Sequence, residues 1–126
     1  MLGEFLAADG GLIDEGLVLL YAAPASYTGE DLAECTLHGS TAVLRAFISA
    51  CRAAGARPAE PGEFTLRAFR AGKIDLAQAE AVADLIDATT AEQARVAARQ
   101  LRGEVGNAIA PLAEAAFDLL ADVEAS

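Results

Sequence analysis

PGEFTLRAFRAGKIDLAQAEAVADLID, Pro61 to Asp87, is the stretch whose reading decides the fold. It opens on a Pro-Gly turn and continues into a short segment, 62–71, with Phe64, Leu66 and Phe69 as apolar anchors of a predicted helix. Asp75 and Gln78 then have the spacing of a capping box, which predicts the start of a longer helix through LAQAEAVADLIDA. The same stretch places Arg67, Arg70 and Lys73, with Arg57 just upstream, around Glu63. This crowding stands out in a chain of formal charge −10 with nine Lys and Arg in all.

Working outward, the chain changes character at this point. Downstream, Thr90 with Gln93 opens a second predicted capping box, leading into AEQARVAARQLRG. Gly103, Gly106, Asn107 and Pro111 predict an interruption, with a kink or a break at Pro111, which lacks a donor and crowds the carbonyl of Asn107. PLAEAAFDLLADVEA follows as a further amphipathic pattern. Upstream, the chain reads as mixed α/β. LVLLYA (Leu17 to Ala22) predicts a buried strand, and AAPASYTGED a loop. LAECTLH (Leu32 to His38) predicts a second strand with Leu32, Glu34, Thr36 and His38 on one face, ended by Gly39. Ser40 is the expected N-cap of a helix in which Val43, Leu44, Phe47, Ile48 and Cys51 repeat at helical spacing and which stops at Gly55. No internal repeat is visible.

At 126 residues the chain holds one domain, or one domain and part of a second. A hydrophobic share of 54% excludes a disordered chain. Without Trp and rich in Ala, it predicts an aliphatic core. The charge of −10 argues against nonspecific nucleic-acid binding, which needs a basic face. Cys35 and Cys51 are too few for a closed zinc site and read as buried, reduced thiols of an intracellular protein. No apolar run reaches membrane-spanning length, and MLGEF has no signal-peptide character, so the expected location is cytoplasmic.

The candidate chemistry is sparse. Glu63 is open to two readings: a carboxylate favoured by a helix N-terminus, or a bidentate acceptor for the N3–H and 2-amino group of a 2-amino-4-oxo pteridine. Arg67, four residues on, can pair with it on the same helical face. Arg57, Arg70 and Lys73 form either a solvated rim or a cluster for an anionic ligand. SYTGED (Ser26 to Asp31) is either a folded connector with Tyr27 half-buried or a ligand-facing loop. His38, the one histidine, reads as structural, and no metal site is expected. No catalytic Ser/His/Asp or Cys/His set can be assembled, and no GxxxxGK[ST] phosphate loop is present.

SYTGEDLAE…HG, ARPAEPGEFTLRAFRAGKIDLAQAEAVADLIDA and VEAS, in that order, resemble the N-terminal region of the MnmE (TrmE) family of tRNA modification GTPases, from about Asp14 to Ala125. The resemblance implies an α+β chain: a tetrahydrofolate-binding α/β domain similar to glycine-cleavage aminomethyltransferases over residues 1–74, then the first helices of a helical bundle domain over residues 75–126. It implies a folate cofactor, 5-formyl- or 5,10-methylene-tetrahydrofolate, with Glu63, Arg67, Tyr27, Arg57 and Lys73 as its candidate contacts. The homodimer, the flavoprotein partner MnmG (GidA) and modification at C5 of the wobble uridine of tRNA are implied with it. Contact with tRNA would be indirect, and no membrane contact is expected.

GTP, Mg and K would belong to a GTPase domain that this sequence does not contain, so GTP hydrolysis is not expected of the chain itself. Both ends look cut: two strands are short of a sheet, and the last helical pattern has no cap. The family's opening strands would precede Met1. Ala71 departs from the family's usual Asn, and Pro111 is atypical. The alternative functions are a free-standing folate-dependent aminomethyltransferase-like protein and a structural dimerisation module without ligand.

Overall fold

The computed structural model describes residues 1–124; Ala125 and Ser126, which end the VEAS segment, lie outside the described residues. The fold is α+β and divides into two compact units, Met1–Arg67 and the residues from Ala68 onward.

The first unit is built on a three-stranded antiparallel sheet in the order β1 (Leu2–Leu6), β2 (Leu12–Tyr21), β3 (Leu32–Thr36). Two strands were expected, so β1 is a correction, as is the start of β2 at Leu12 rather than Leu17. The β1–β2 turn explains the hairpin. Gly10 has φ +84°, the Ala7 and Gly10 amides close the turn, and the Asp9 carboxylate accepts from the Gly11 amide at 3.0 Å. β3 ends at Thr36, two residues short of the predicted end.

Helix α1 (Thr41–Ala53) packs on one face of this sheet. Phe5, the largest buried apolar residue, meets Phe47 edge-on with ring centroids 5.0 Å apart. Gly16 lets the strands close here. A Cβ at that position would lie 2.0 Å from the Thr36 carbonyl oxygen and 3.0 Å from the Phe5 ring. By alternation, Leu17 and Leu19 point to the opposite face, and both are exposed. The expected burial of the Leu17–Ala22 run is therefore corrected: one face of β2 has no covering element among the described residues of this unit. Leu44 and Ile48 of α1 are likewise exposed, while Val43, Phe47 and Cys51 are half-buried. Cys35 is exposed, so buried thiols are corrected too; both cysteines are free.

Ser40 occupies the N-cap position of α1 but its hydroxyl makes no cap bond, which corrects the expected capping role. The C-terminus follows expectation. Gly55, at φ +97°, donates to the Arg52 carbonyl while Ala56 donates to Cys51, a Schellman closure. Helix α2 (Glu63–Arg70) then begins in the first unit, just after Gly62 at φ +74°, and continues into the second. The short helix forms as expected, and its apolar residues Phe64, Leu66 and Phe69 are 50%, 45% and 40% exposed.

The second unit opens with the end of α2, closed by a second Schellman motif in which Gly72 donates to Phe69 and Lys73 to Ala68. Helices α3 (Leu76–Asp87) and α4 (Ala91–Leu101) follow as a tightly packed pair. Both expected capping boxes are present, Asp75 with Gln78 and Thr90 with Gln93. Gln78 also donates from Nε2 to the Leu101 carbonyl at 2.9 Å, tying the start of α3 to the end of α4. Ala81 and Ala97 are buried in these helices. The aliphatic core expected of an alanine-rich chain is here made of alanine itself.

The chain breaks at Gly103, φ +80°, and α5 then runs unbroken over Glu104–Glu124 with Pro111 inside it. The break falls at Gly103, the first of the residues expected to interrupt the run, and none falls at Pro111. Gly103 already supplies the turn, and the alanines flanking Pro111 favour helix strongly enough to carry the one missing donor.

Candidate functional site

The first turn of α2 gathers the candidate residues of the first unit. Gly62 reverses the chain, the Glu63 amide closes a turn on the Glu60 carbonyl, and the Glu63 side chain folds back over that turn. There it accepts the Glu60 amide at Oε2, 2.8 Å away. Arg57 grips the same carboxylate with a two-pronged fork, Nη1 to Oε2 at 2.9 Å and Nη2 to Oε1 at 2.6 Å. Arg67 adds a bond from Nη2 to Oε1 at 2.5 Å, the predicted pairing one helical turn on. Each carboxylate oxygen thus accepts two donors.

Arg67 is held twice, since its Nη1 reaches Glu30 at 3.0 Å. Among the described residues, Arg57 has only the Pro58 carbonyl, at 3.1 Å, beyond its fork on Glu63. Exposure follows the same order. The side chain of Glu63 is 12% exposed, that of Arg67 44% and that of Arg57 64%. The guanidinium of Arg57, with the Glu60 amide and Arg67, drives the Glu63 carboxyl far below the ordinary carboxylate range. In return the hydrogen bonds to Glu63 raise both arginines further. The charge clustered here is therefore compensated: Glu30, Arg67, Glu63 and Arg57 alternate in sign.

The SYTGED loop is the other wall. Ser26 and Thr28 are its buried polar residues; Ser26 Oγ donates to the Glu30 carbonyl, and the Glu30 amide donates to Thr28 Oγ1. Asp31 accepts the Ala23 amide at 2.8 Å, fixing the base of the loop. Tyr27 is 44% exposed and its hydroxyl lies 3.3 Å from Thr65 Oγ1. Glu30 and Tyr27 thus lash the loop to α2 at two points. Sequence reading placed Tyr27, Arg57, Glu63 and Arg67 among the candidates, and the structure brings all four to this corner. It singled out the SYTGED loop as a whole but not Glu30, Ser26 and Thr28 within it. Arg70 and Lys73 belong to the second unit, where the backbone of Lys73 caps α2.

His38 lies elsewhere, on Asp14. The Asp14 carboxylate accepts the His38 amide at 2.8 Å and meets its Nδ1 at 2.9 Å. The backbone bond is the main reason the Asp14 carboxyl is lowered. Among the described residues, no group of three His, Cys, Asp or Glu could hold a metal ion.

Comparison with known proteins sets this geometry in a family. Residues 1–73 match the family model described as the GTP-binding protein TrmE N-terminus, and residues 76–126 match the MnmE helical domain. The chain belongs to the MnmE (TrmE) family. It is 53% identical to the tRNA modification GTPase MnmE of Azoarcus sp. and equally to that of Nitrosospira multiformis, in each case over 99% of the chain. The MnmE of Aquifex aeolicus is 53% identical over 92% of it. The chain spans 28% of the length of the first two relatives and 26% of the third. The whole corner around Glu63 falls within the TrmE N-terminus match. Among the described residues, no helix is long and apolar enough to cross a membrane.

Proposed function

We propose that this chain is the folate-binding and homodimerisation region of a tRNA-modifying GTPase, followed by the first helices of its helical domain, with the division at residues 74/75. The paired matches, 1–73 and 76–126, support that division. The observation that carries the folate reading is the corner itself. A nearly buried carboxylate with two aligned oxygens sits beside a tyrosine and two arginines, and this suits a ring with an amidine edge and a tail bearing carboxylates. Glu63 faces the pterin, with Arg57, Arg67 and Tyr27 around the ligand. The bound folate would supply a one-carbon unit. The exposed apolar face of the sheet, with Leu17 and Leu19, supports the homodimer.

The relatives' name, tRNA modification GTPase, supports GTP-dependent modification of tRNA as the wider activity; to it we add, as proposals, C5 of the wobble uridine as target, the flavoprotein MnmG as partner and the cytoplasm as location. GTP, Mg and K are assigned to a GTPase domain outside this sequence. A second reading, a structural dimerisation module without ligand, is favoured by one fact: all acceptor positions on Glu63 are already filled.

Calorimetric titration with 5-formyltetrahydrofolate separates the two. One-to-one binding that Glu63→Gln weakens at least tenfold is expected, the loss typical of a charge-assisted pair. Binding indifferent to the substitution would remove Glu63 from the site. An absence of binding would favour the structural module.

A further inference from the structure

Each oxygen of Glu63 accepts two hydrogen bonds, and Arg57 supplies one to each. The remaining two come from the Glu60 amide to Oε2 and from Arg67 to Oε1. Removing Arg57 alone therefore frees one acceptor position on each oxygen, side by side. A 2-amino-4-oxo pteridine presents two parallel N–H bonds, N3–H and the 2-amino group, on one carbon. A guanidinium presents the same edge. Arg57 is also the donor best able to leave. Its side chain is more exposed than that of Arg67, its other contact is the neighbouring Pro58 carbonyl, and it sits on the 56–62 connection rather than in a helix. Arg67 is anchored a second time by Glu30 and stays.

We infer that the Arg57 guanidinium is a placeholder on Glu63, displaced by the amidine edge of the entering pterin and released to meet the carboxylates of the folate tail. The inference rests on the folate reading above. The exchange is one of hydrogen bonds only: two N–H donors of the ring replace two of Arg57, and no proton changes owner. It keeps the carboxylate ionised and paired in both states, so a nearly buried charge is never left bare. It also couples the two ends of the ligand, because ring binding is what frees the arginine that the tail requires.

The test uses a pterin without a tail, 6-methyltetrahydropterin, so that the competition at Glu63 is seen without the benefit to the tail. Its dissociation constant is measured for the wild type, Arg57→Ala and Arg57→Lys, with 5-formyltetrahydrofolate titrated in parallel. Lysine retains the charge but has no fork. Both variants should bind the tail-less pterin about threefold to fivefold more tightly than the wild type, the scale of an exposed ion pair lost as competitor. Both should gain less, or lose affinity, for 5-formyltetrahydrofolate. Equal or weaker pterin binding by both variants, with folate binding intact, would overturn the placeholder and leave the folate reading standing. So would folate binding with no measurable pterin binding in any variant, because a vacated Glu63 must hold the ring unaided. If neither ligand binds any form, the folate reading itself fails and the placeholder falls with it.

Discussion

At Glu63, donors from three residues converge on one carboxylate, and the acid response of the fold should carry that signature. Its carboxyl is depressed in the folded chain, first by Arg57. Stability from this group is thus complete above the unfolded glutamate value of about 4.3, and is lost as pH falls through the much lower folded value. Thermal unfolding of the wild type and Glu63→Gln should show a melting-temperature gap that is constant from neutral pH to about 5 and narrows in more acid solution. A gap independent of pH would mean the ion pairs contribute nothing. Gly16 gives a second prediction at this scale. A methyl there meets the Thr36 carbonyl backbone, so Gly16→Ala should destabilise the sheet by about 1–3 kcal/mol in denaturant titration. The pairing of Glu63 with Arg67 was legible because four residues on a helix make one turn. The fork of Arg57 was not, because it depends on how the Pro58–Gly62 segment reverses, and no periodicity describes that.

Among the elements, those with self-contained chemistry were the readable ones. A capping box is a local contract between side chain and backbone three positions apart, and both were found where Asp75–Gln78 and Thr90–Gln93 stood. Gln78 adds a tertiary bond to Leu101, so Gln78→Ala should cost more than a cap alone, about 1–2 kcal/mol, with Gln93→Ala as the local comparison. Equal losses would deny the Leu101 bond any role. Strand β1 was missed although Asp9-Gly10 between apolar runs is a hairpin signal; Leu2–Leu6 is short and carries Gly3 and Glu4 in its middle. Pro111 was read as a breaker because a lone proline usually is. Here it sits within α5, and Pro111→Ala should raise the helicity of the chain by circular dichroism and stabilise that helix by up to ~3 kcal/mol. Unchanged helicity would show that Pro111 costs the helix nothing.

For the molecule as a whole, the class and the change from a strand-bearing half to a helical half could be read from patterning, but the depth of burial could not. Helical spacing marks which side chains share a face; it does not say whether anything lies against that face. Leu17, Leu19, Phe64 and Leu112 all fit apolar stripes, and all are exposed. On the dimer reading, sedimentation of the chain should show a concentration-dependent two-copy species that Leu19→Lys shifts toward monomer. A monomer at every concentration would count against the homodimer.

The alanine core of α3 and α4 has a consequence for mutational tolerance. Ala81 and Ala97 are at most 2% exposed, and nothing larger than a methyl fills either place. In a saturation scan scored for folding, serine should pass at these two positions and valine or leucine should not. Exposed leucines of the same chain should accept almost any replacement. The usual rule for a protein interior, that side chains must not become too small, is inverted: here selection would set a ceiling on volume and leave polarity comparatively free.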